Sequence, residues 1–551
     1  MRKLSVFVVV VAVLATGLVG SAAAGAASGV PASDQGTDPD PTVSNGSSSL
    51  SSGGETVARP RQAAESCAAT PQADDPAEDV IGWHDGYWYD EELSIDDSDG
   101  YDQTELDALI ARAMARNEAL RCWEVNETPP VEVRNRSSFS AAETFVRNVS
   151  DAERTATNAQ FETLLMIGPG QDAVEVRKQN LGSSVQGYYS PSSDEIVVIS
   201  DENGTVSADE YTLAHELVHA IQDQRYNLSQ YDASLHDRRI AENGLIEGDA
   251  SLVENRYKQR CAGAWSGTCY SPERTQSGSG LADEGPYLLT FQPYVDGPAW
   301  AESLEKRGGW SRLDQAYATP PTTSSEIIHP ELYPSDEPVE VTIDDRSAEG
   351  WQPLSVESGP DHEVIGEAGL AAMFISPTVE TNGRDGIVSV RNAYNLDDSG
   401  RPDPDRPFNY NHSFTRGWAG DRMQVYTGED GESATIWKLA WDSAADRKEF
   451  TDKYEQLLSH RGAEQLESNG TVYRFTEDSE FEGAIAIVPD GNTVTIVDGP
   501  SAGALAAIYG GAPDDVGAAT SSVDNDSVPG FGPMVAVLAL LGFSLAHRRR
   551  R

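Results

Sequence analysis

Lysine is nearly missing from this chain of 551 residues. Seven of its 40 basic residues are lysine (Lys3, Lys178, Lys258, Lys306, Lys438, Lys448 and Lys453), and the others are arginine. Basic charge as a whole is short. Asp and Glu number 89, and the formal net charge is -49. That balance excludes nucleic acid as a general partner, because phosphate is repelled. The acids run along the whole chain, which excludes a single acidic tail. Such a surface suits concentrated salt, where the Debye length falls to about 3 Å and neighbouring acids barely repel. A lysine stem would add little to it. Charge and composition together predict a halophile, of haloarchaeal type.

Cysteine is limited to Cys67, Cys122, Cys261 and Cys269, with no CxxC spacing to make a cysteine zinc site. None lies near the N-terminal apolar run, so a bacterial-type lipobox is absent. Large apolar residues are almost missing from Ser28 to Ala77, which predicts a disordered linker over 28–78. The C-terminal apolar run, Met534 to Ala546, falls short of the roughly 20 residues of a bilayer span. No internal repeat of solenoid length is visible.

What is present begins at the ends. Arg2 and Lys3 precede an apolar run from Leu4 to Gly20, then small residues to Ala27, the form of a signal peptide over 1–27. An even cysteine count in an exported chain suggests disulfides. Cys261 and Cys269 close a short Gly/Ser/Trp loop and are paired on that ground. Cys67 and Cys122 pair by exclusion, with four free thiols as the alternative. Asn126, Asn135, Asn148, Asn203, Asn227, Asn411 and Asn469 each open an N-x-S/T triplet, so glycans are expected.

Apolar periodicity predicts helices over Asp102 to Arg121, Glu210 to Gln224, Arg239 to Arg260, Tyr287 to Arg307 and Ser443 to His460. A further apolar-periodic segment spans Ala141 to Met166. A hairpin is predicted from Val185 to Tyr189 and Glu195 to Ile199. Strands are expected at Met423 to Tyr426, Ala434 to Trp441, Thr471 to Phe475, Ala484 to Val488 and Thr493 to Val497. The fold class is α+β, with a main domain over 79–363, a small α+β tail module over 364–510 and a stalk over 511–528.

The chemistry sits in the stretch Tyr211-Thr-Leu-Ala-His215-Glu216-Leu-Val-His219. On a helix, His215 and His219 leave the same face one turn apart, as two ligands of one tetrahedral ion require. Glu216 follows the first ligand and can reach the open fourth position as general base. A third ligand is expected from the next helix. Glu247 is preferred, because Gly248 and Ala250 allow close approach, with Glu242 and Glu254 as alternatives. Asp249 and Asp223 are candidate acceptors for the histidines' second nitrogens. The cofactor expected is one Zn²⁺.

His215, Glu216, His219 and Glu247 together resemble the gluzincin metallopeptidases. With Gly308-Gly309-Trp310, the Pro320 to Tyr333 segment and Gly417 to Arg422, the ordered region resembles haloarchaeal surface proteins carrying a gluzincin-like domain and an α+β tail. That resemblance implies a zincin-like fold, with a short hairpin before the active-site helix whose edge strand can pair with an extended peptide. It implies hydrolysis of peptide bonds, with a peptide or protein as substrate. His329 or Tyr333 would donate to the oxyanion, or His329 would serve as a structural bridge. Pro529, Gly530 and Phe531 ahead of the apolar run and the terminal arginines resemble a PGF-type sorting signal over 529–551. It implies an archaeosortase as processing partner, a membrane-lipid anchor and a cell-surface location, the alternative being a short, imperfect transmembrane anchor with the arginines held inside. The competing reading is a non-catalytic surface or adhesion protein that retains a zincin scaffold.

Overall fold

A computed structural model describes residues 9–12 and 67–513, except 73, 97–99, 126, 141–143, 145–148, 201–207, 232, 272–280, 349, 358 and 467–470. The rest of the expected signal peptide, the linker to residue 66, the stalk and the Pro529-Gly530-Phe531 segment lie outside the described residues. So do Asn126, Asn148, Asn203 and Asn469. The architecture is α+β.

The main helical body starts with α1 (Gln103–Arg121). Asp102 caps it by accepting from the Glu105 amide, and the Glu105 side chain returns the bond to the Asp102 amide. Its end turns into the left-handed Cys122, φ 61°, which is bonded to Cys67. Next come α2 (Asp151–Thr163) and α3 (Ala173–Ser184). Within the apolar pattern from Ala141 to Met166, of which 141–143 and 145–148 lie outside the described residues, the helix Asp151–Thr163 forms. There Ser150 and Glu153 form a second reciprocal cap that fixes the start.

A four-stranded sheet follows the order β1 (Val9–Ala12), β5 (Val185–Ser190), β6 (Glu195–Ser200), β4 (Val131–Asn135). The β5–β6 hairpin is antiparallel as expected, β4 runs parallel to β6, and β1 runs antiparallel along the outer edge of β5. A two-stranded ribbon, β2 (Trp83–His84) and β3 (Tyr87–Trp88), packs on α1.

Under the sheet runs α4 (Glu210–Tyr226). Beside it lie α5 (His236–Cys261), α6 (Glu284–Gly308), α7 (Trp310–Ala318) and the short α8 (Ser324–Ile328). Helices α5 and α6 touch backbone to backbone, since a Cβ on Gly248 would run into Gly297.

The second sheet has seven antiparallel strands, ordered β10 (Ala463–Gln465), β11 (Val472–Phe475), β12 (Ala484–Asp490), β13 (Thr493–Gly499), β9 (Ser433–Trp441), β8 (Trp418–Gly428), β7 (Trp351–Pro353). Its edge strand β7 starts upstream of residue 364. Helix α9 (Gly366–Glu380) is buried on nearly every side and lies against α6, and α10 (Ala444–His460) packs on β9 and β13. One apolar core joins the two regions. Leu288, Phe291 and Val295 of α6 share it with Phe374 of α9, Trp437 and Trp441 of β9, and Phe450 and Tyr454 of α10. No helix among the described residues is long and apolar enough to cross a membrane.

Candidate metal centre

Helix α4 is held at both ends before it presents any chemistry. Asp209 accepts from the Tyr211 and Thr212 amides at 2.9 and 3.0 Å, and Asn227 closes the helix with φ 53°. Its first residue, Glu210, is fully buried. It takes Arg112 Nη2 at 3.0 Å and Arg116 Nη1 at 2.6 Å from α1. Arg116 also reaches Cys269 Sγ at 3.1 Å, so the Cys261–Cys269 disulfide braces the same corner. In the middle, Asn117 donates to the Ala214 carbonyl at 2.8 Å. Leu213, Leu217, Val218 and Ile221 fill the core, and His215, Glu216 and His219 are carried inward with them.

His215, His219 and Glu247 are all buried, and one ligand atom from each lies within 4.8 Å of the others. Among the described residues they are the one such group of His, Cys, Asp or Glu. Glu247 Oε2 is 3.2 Å from His215 Nε2 and 3.4 Å from His219 Nε2. Ligands held about 2.0–2.1 Å from a tetrahedral zinc ion stand roughly 3.3–3.4 Å apart, so these spacings match the edges of such a tetrahedron.

The outer nitrogens are already committed. His215 Nδ1 faces Glu254 Oε2 at 3.0 Å, and His219 Nδ1 faces Gln222 Oε1 at 2.8 Å. Gln222 is itself anchored on the Ile246 carbonyl at 3.0 Å. With both rings neutral and their protons on Nδ1, as binding a cation would require, both Nε2 lone pairs would face Glu247. His219 Nε2 is buried without a hydrogen-bond partner. Two nitrogen lone pairs and a carboxylate aimed at one point are a donor set that a divalent cation satisfies.

The protonation tendencies follow from burial and these neighbours. Burial opposes charge on His215, yet the carboxylates of Glu247 and Glu254 on its two sides push it up to about 10. Burial lowers His219. It would raise Glu254, but the His215 hydrogen bond and Lys258 hold it down at about 2. Glu216 is pushed well above the ordinary carboxylate range, by burial first and by Glu247 among its neighbours, with His215 acting the other way. Both Glu216 oxygens are buried outside ideal hydrogen-bond geometry, with the Tyr189 backbone of β5 near enough to favour the charged form against burial. Strand β5 comes close here: a Cβ on Gly187 would sit 3.1 Å from Glu216 Oε1. Glu216 is thus buried against β5 at Gly187, one residue along α4 from His215.

The other sequence candidates are placed elsewhere. Glu242 pairs with Arg238 at 2.8 Å. Asp249 takes Arg121 Nε at 2.8 Å and the Tyr317 hydroxyl at 2.9 Å, and orients no histidine. Asp223 accepts from the Tyr189 hydroxyl at 2.9 Å and the Leu228 amide at 2.6 Å. His329 contacts Glu367 at 3.0 Å, a bridge from the end of α8 to α9. The Tyr333 hydroxyl donates to the Thr319 carbonyl at 2.7 Å. Neither His329 nor Tyr333 is bonded to the triad. Glu254, an alternative ligand in the sequence, is instead the partner of His215 Nδ1. Tyr294 of α6, unmarked in the sequence, donates to Glu247 Oε1 at 2.8 Å.

A family described as a domain of unknown function, DUF8575, matches residues 352–509, which cover most of the seven-stranded sheet with α9 and α10. No curated protein and no solved structure matches the chain. The candidate metal centre lies wholly upstream of the matched segment.

Proposed function

We propose that this chain is a zinc-dependent peptidase of gluzincin type, built for concentrated salt and displayed at the cell surface. The observation that carries the reading is the buried His215–His219–Glu247 set, with Glu247 Oε2 3.2 and 3.4 Å from the two Nε2 atoms and the buried Glu216 next to His215 on the same helix. A zinc ion bound by these three residues would act as a Lewis acid and bring a water's pKa to near 7.

The chain's own residues supply the rest. Glu254 and Gln222 fix the two imidazoles. Burial excludes bulk water from the carboxylates. Glu216 takes the proton of the attacking water on a side-chain oxygen, then hands it to the nitrogen of the leaving amine. Strand β5 offers its outer edge to an extended substrate. Residues Val9–Ala12 pair antiparallel along that edge, with Val11 opposite Gly187, so it accepts an extended segment of polypeptide. The reading extends to export through 1–27, processing by an archaeosortase at Pro529-Gly530-Phe531 and a lipid anchor. Two disulfides suit an oxidising compartment.

The test is cleavage of a mixed peptide library in molar salt by wild type and Glu216→Gln. Wild type is expected to cut and the variant to lose at least about 10²-fold in rate. Equal cleavage by both would remove Glu216 from its role. No cleavage by a folded, zinc-loaded wild type would leave the non-catalytic surface protein as the better reading.

A further inference from the structure

The two carboxylate oxygens of Glu247 face different partners. Oε2 lies 3.2 and 3.4 Å from the two histidine Nε2 atoms. Oε1 accepts the Tyr294 hydroxyl at 2.8 Å. Tyr294 belongs to α6, whose backbone meets α5 at Gly297 and Gly248, close to Glu247 in the chain. Its ring stacks on Phe291, with centroids 5.5 Å apart and planes 21° apart, so the phenol's direction is set by its own helix. Toward Glu247 the phenol hydroxyl is the donor.

A carboxylate can offer a cation one oxygen or two. With two histidines, one oxygen from Glu247 leaves a fourth position open. Two oxygens would crowd the space in which Glu216 must meet a water. We infer that Tyr294 is a positioning residue that occupies Oε1 and so confines Glu247 to binding through Oε2. The inference rests on the metal centre proposed above. It concerns the shape of that centre and not whether peptides are cut.

Tyr294→Phe removes the hydroxyl and keeps the stack on Phe291. The experiment loads wild type and variant with Co²⁺ in molar salt and reads the visible absorption, which is stronger for four-coordinate than for five-coordinate cobalt. Both proteins are expected to bind one Co²⁺, with the variant's band weakened by about twofold or more as Glu247 turns both oxygens inward. An unchanged band at full occupancy would overturn the role of Tyr294 while leaving the metal centre standing. Failure of wild type to bind cobalt would overturn both. A second measurement needs no variant: X-ray absorption at the zinc edge of wild type is expected to give four nearest ligands. Five, with a chelating carboxylate, would overturn the inference even if Tyr294→Phe did not fold.

Discussion

At the scale of single residues, the proposed zinc centre would depend on second contacts as much as on ligands. Glu254 bonds His215 Nδ1 and is itself held by Lys258 at 2.7 Å. Glu254→Ala is expected to weaken zinc affinity by about 10–100-fold, since His215 then loses the acceptor that fixes its tautomer and orientation. Competition against a graded zinc chelator measures it, and an unchanged affinity would contradict the assignment. His215, Glu216 and His219 were legible in the sequence because their spacing alone puts them on one helical face. Glu247 was legible through residue type and its small neighbours. Tyr294 was not, because its contact exists only after α5 and α6 pack at Gly248 and Gly297. Asp249 was misjudged for a similar reason. It is two residues from Glu247 in the chain, but α1 brings it the buried Arg121 guanidinium. Nothing in the local sequence announces that partner.

At the scale of elements, helices with a clear apolar period were placed well. The pattern over Asp102 to Arg121 corresponds to Gln103–Arg121, and that over Ser443 to His460 to Ala444–His460. Strands with alternating or continuous apolar runs, such as Ala434 to Trp441, were equally plain. Helix α9 escaped notice because it is apolar nearly all round and has no periodic contrast to read. Strand β4 escaped because its parallel pairing with β6 is a long-range event with no turn to mark it. The end of the Asp102 to Arg121 pattern also hides a joint: the left-handed Cys122 turns the chain and ties α1 to Cys67. The resulting frame holds α4 at several points. Arg112 and Arg116 pin the start of α4, and Asn117 holds its middle.

At the scale of the whole molecule, the seven-stranded sheet and helices α5, α8 and α9 share polar as well as apolar contacts. Asp421 of β8 accepts from the Ile365 and Gly366 amides at 2.9 and 3.0 Å, and from the Trp418 and Trp437 indoles at 3.1 and 2.9 Å. Gly366 has φ 73° and no room for a Cβ, because Asp237 of α5 stands against it. Asp237 is buried and accepts from Ser324. Burial raises its pKa to about 7, with Asp421 and Glu367 adding to the effect and the Ser324 hydrogen bonds opposing it. The sign follows. Between about pH 4 and pH 7 the folded chain keeps this proton and the unfolded chain releases it, so stability contributed here falls as pH rises through that window. Asp237→Asn removes the titration. Unfolding free energies from urea titrations in constant molar salt are expected to drop more from pH 5 to pH 8 for wild type than for the variant, by on the order of 1–3 kcal/mol. Parallel behaviour of the two proteins would contradict the assignment.

The proposed peptidase requires a single zinc site made by α4 and α5. Elemental analysis of the purified chain in molar salt, wild type beside His219→Ala and Glu247→Gln, tests it most directly. One zinc per chain is predicted for wild type, with stoichiometric metal lost in both variants. A wild type without stoichiometric metal, or variants that retain it fully, would contradict the claim.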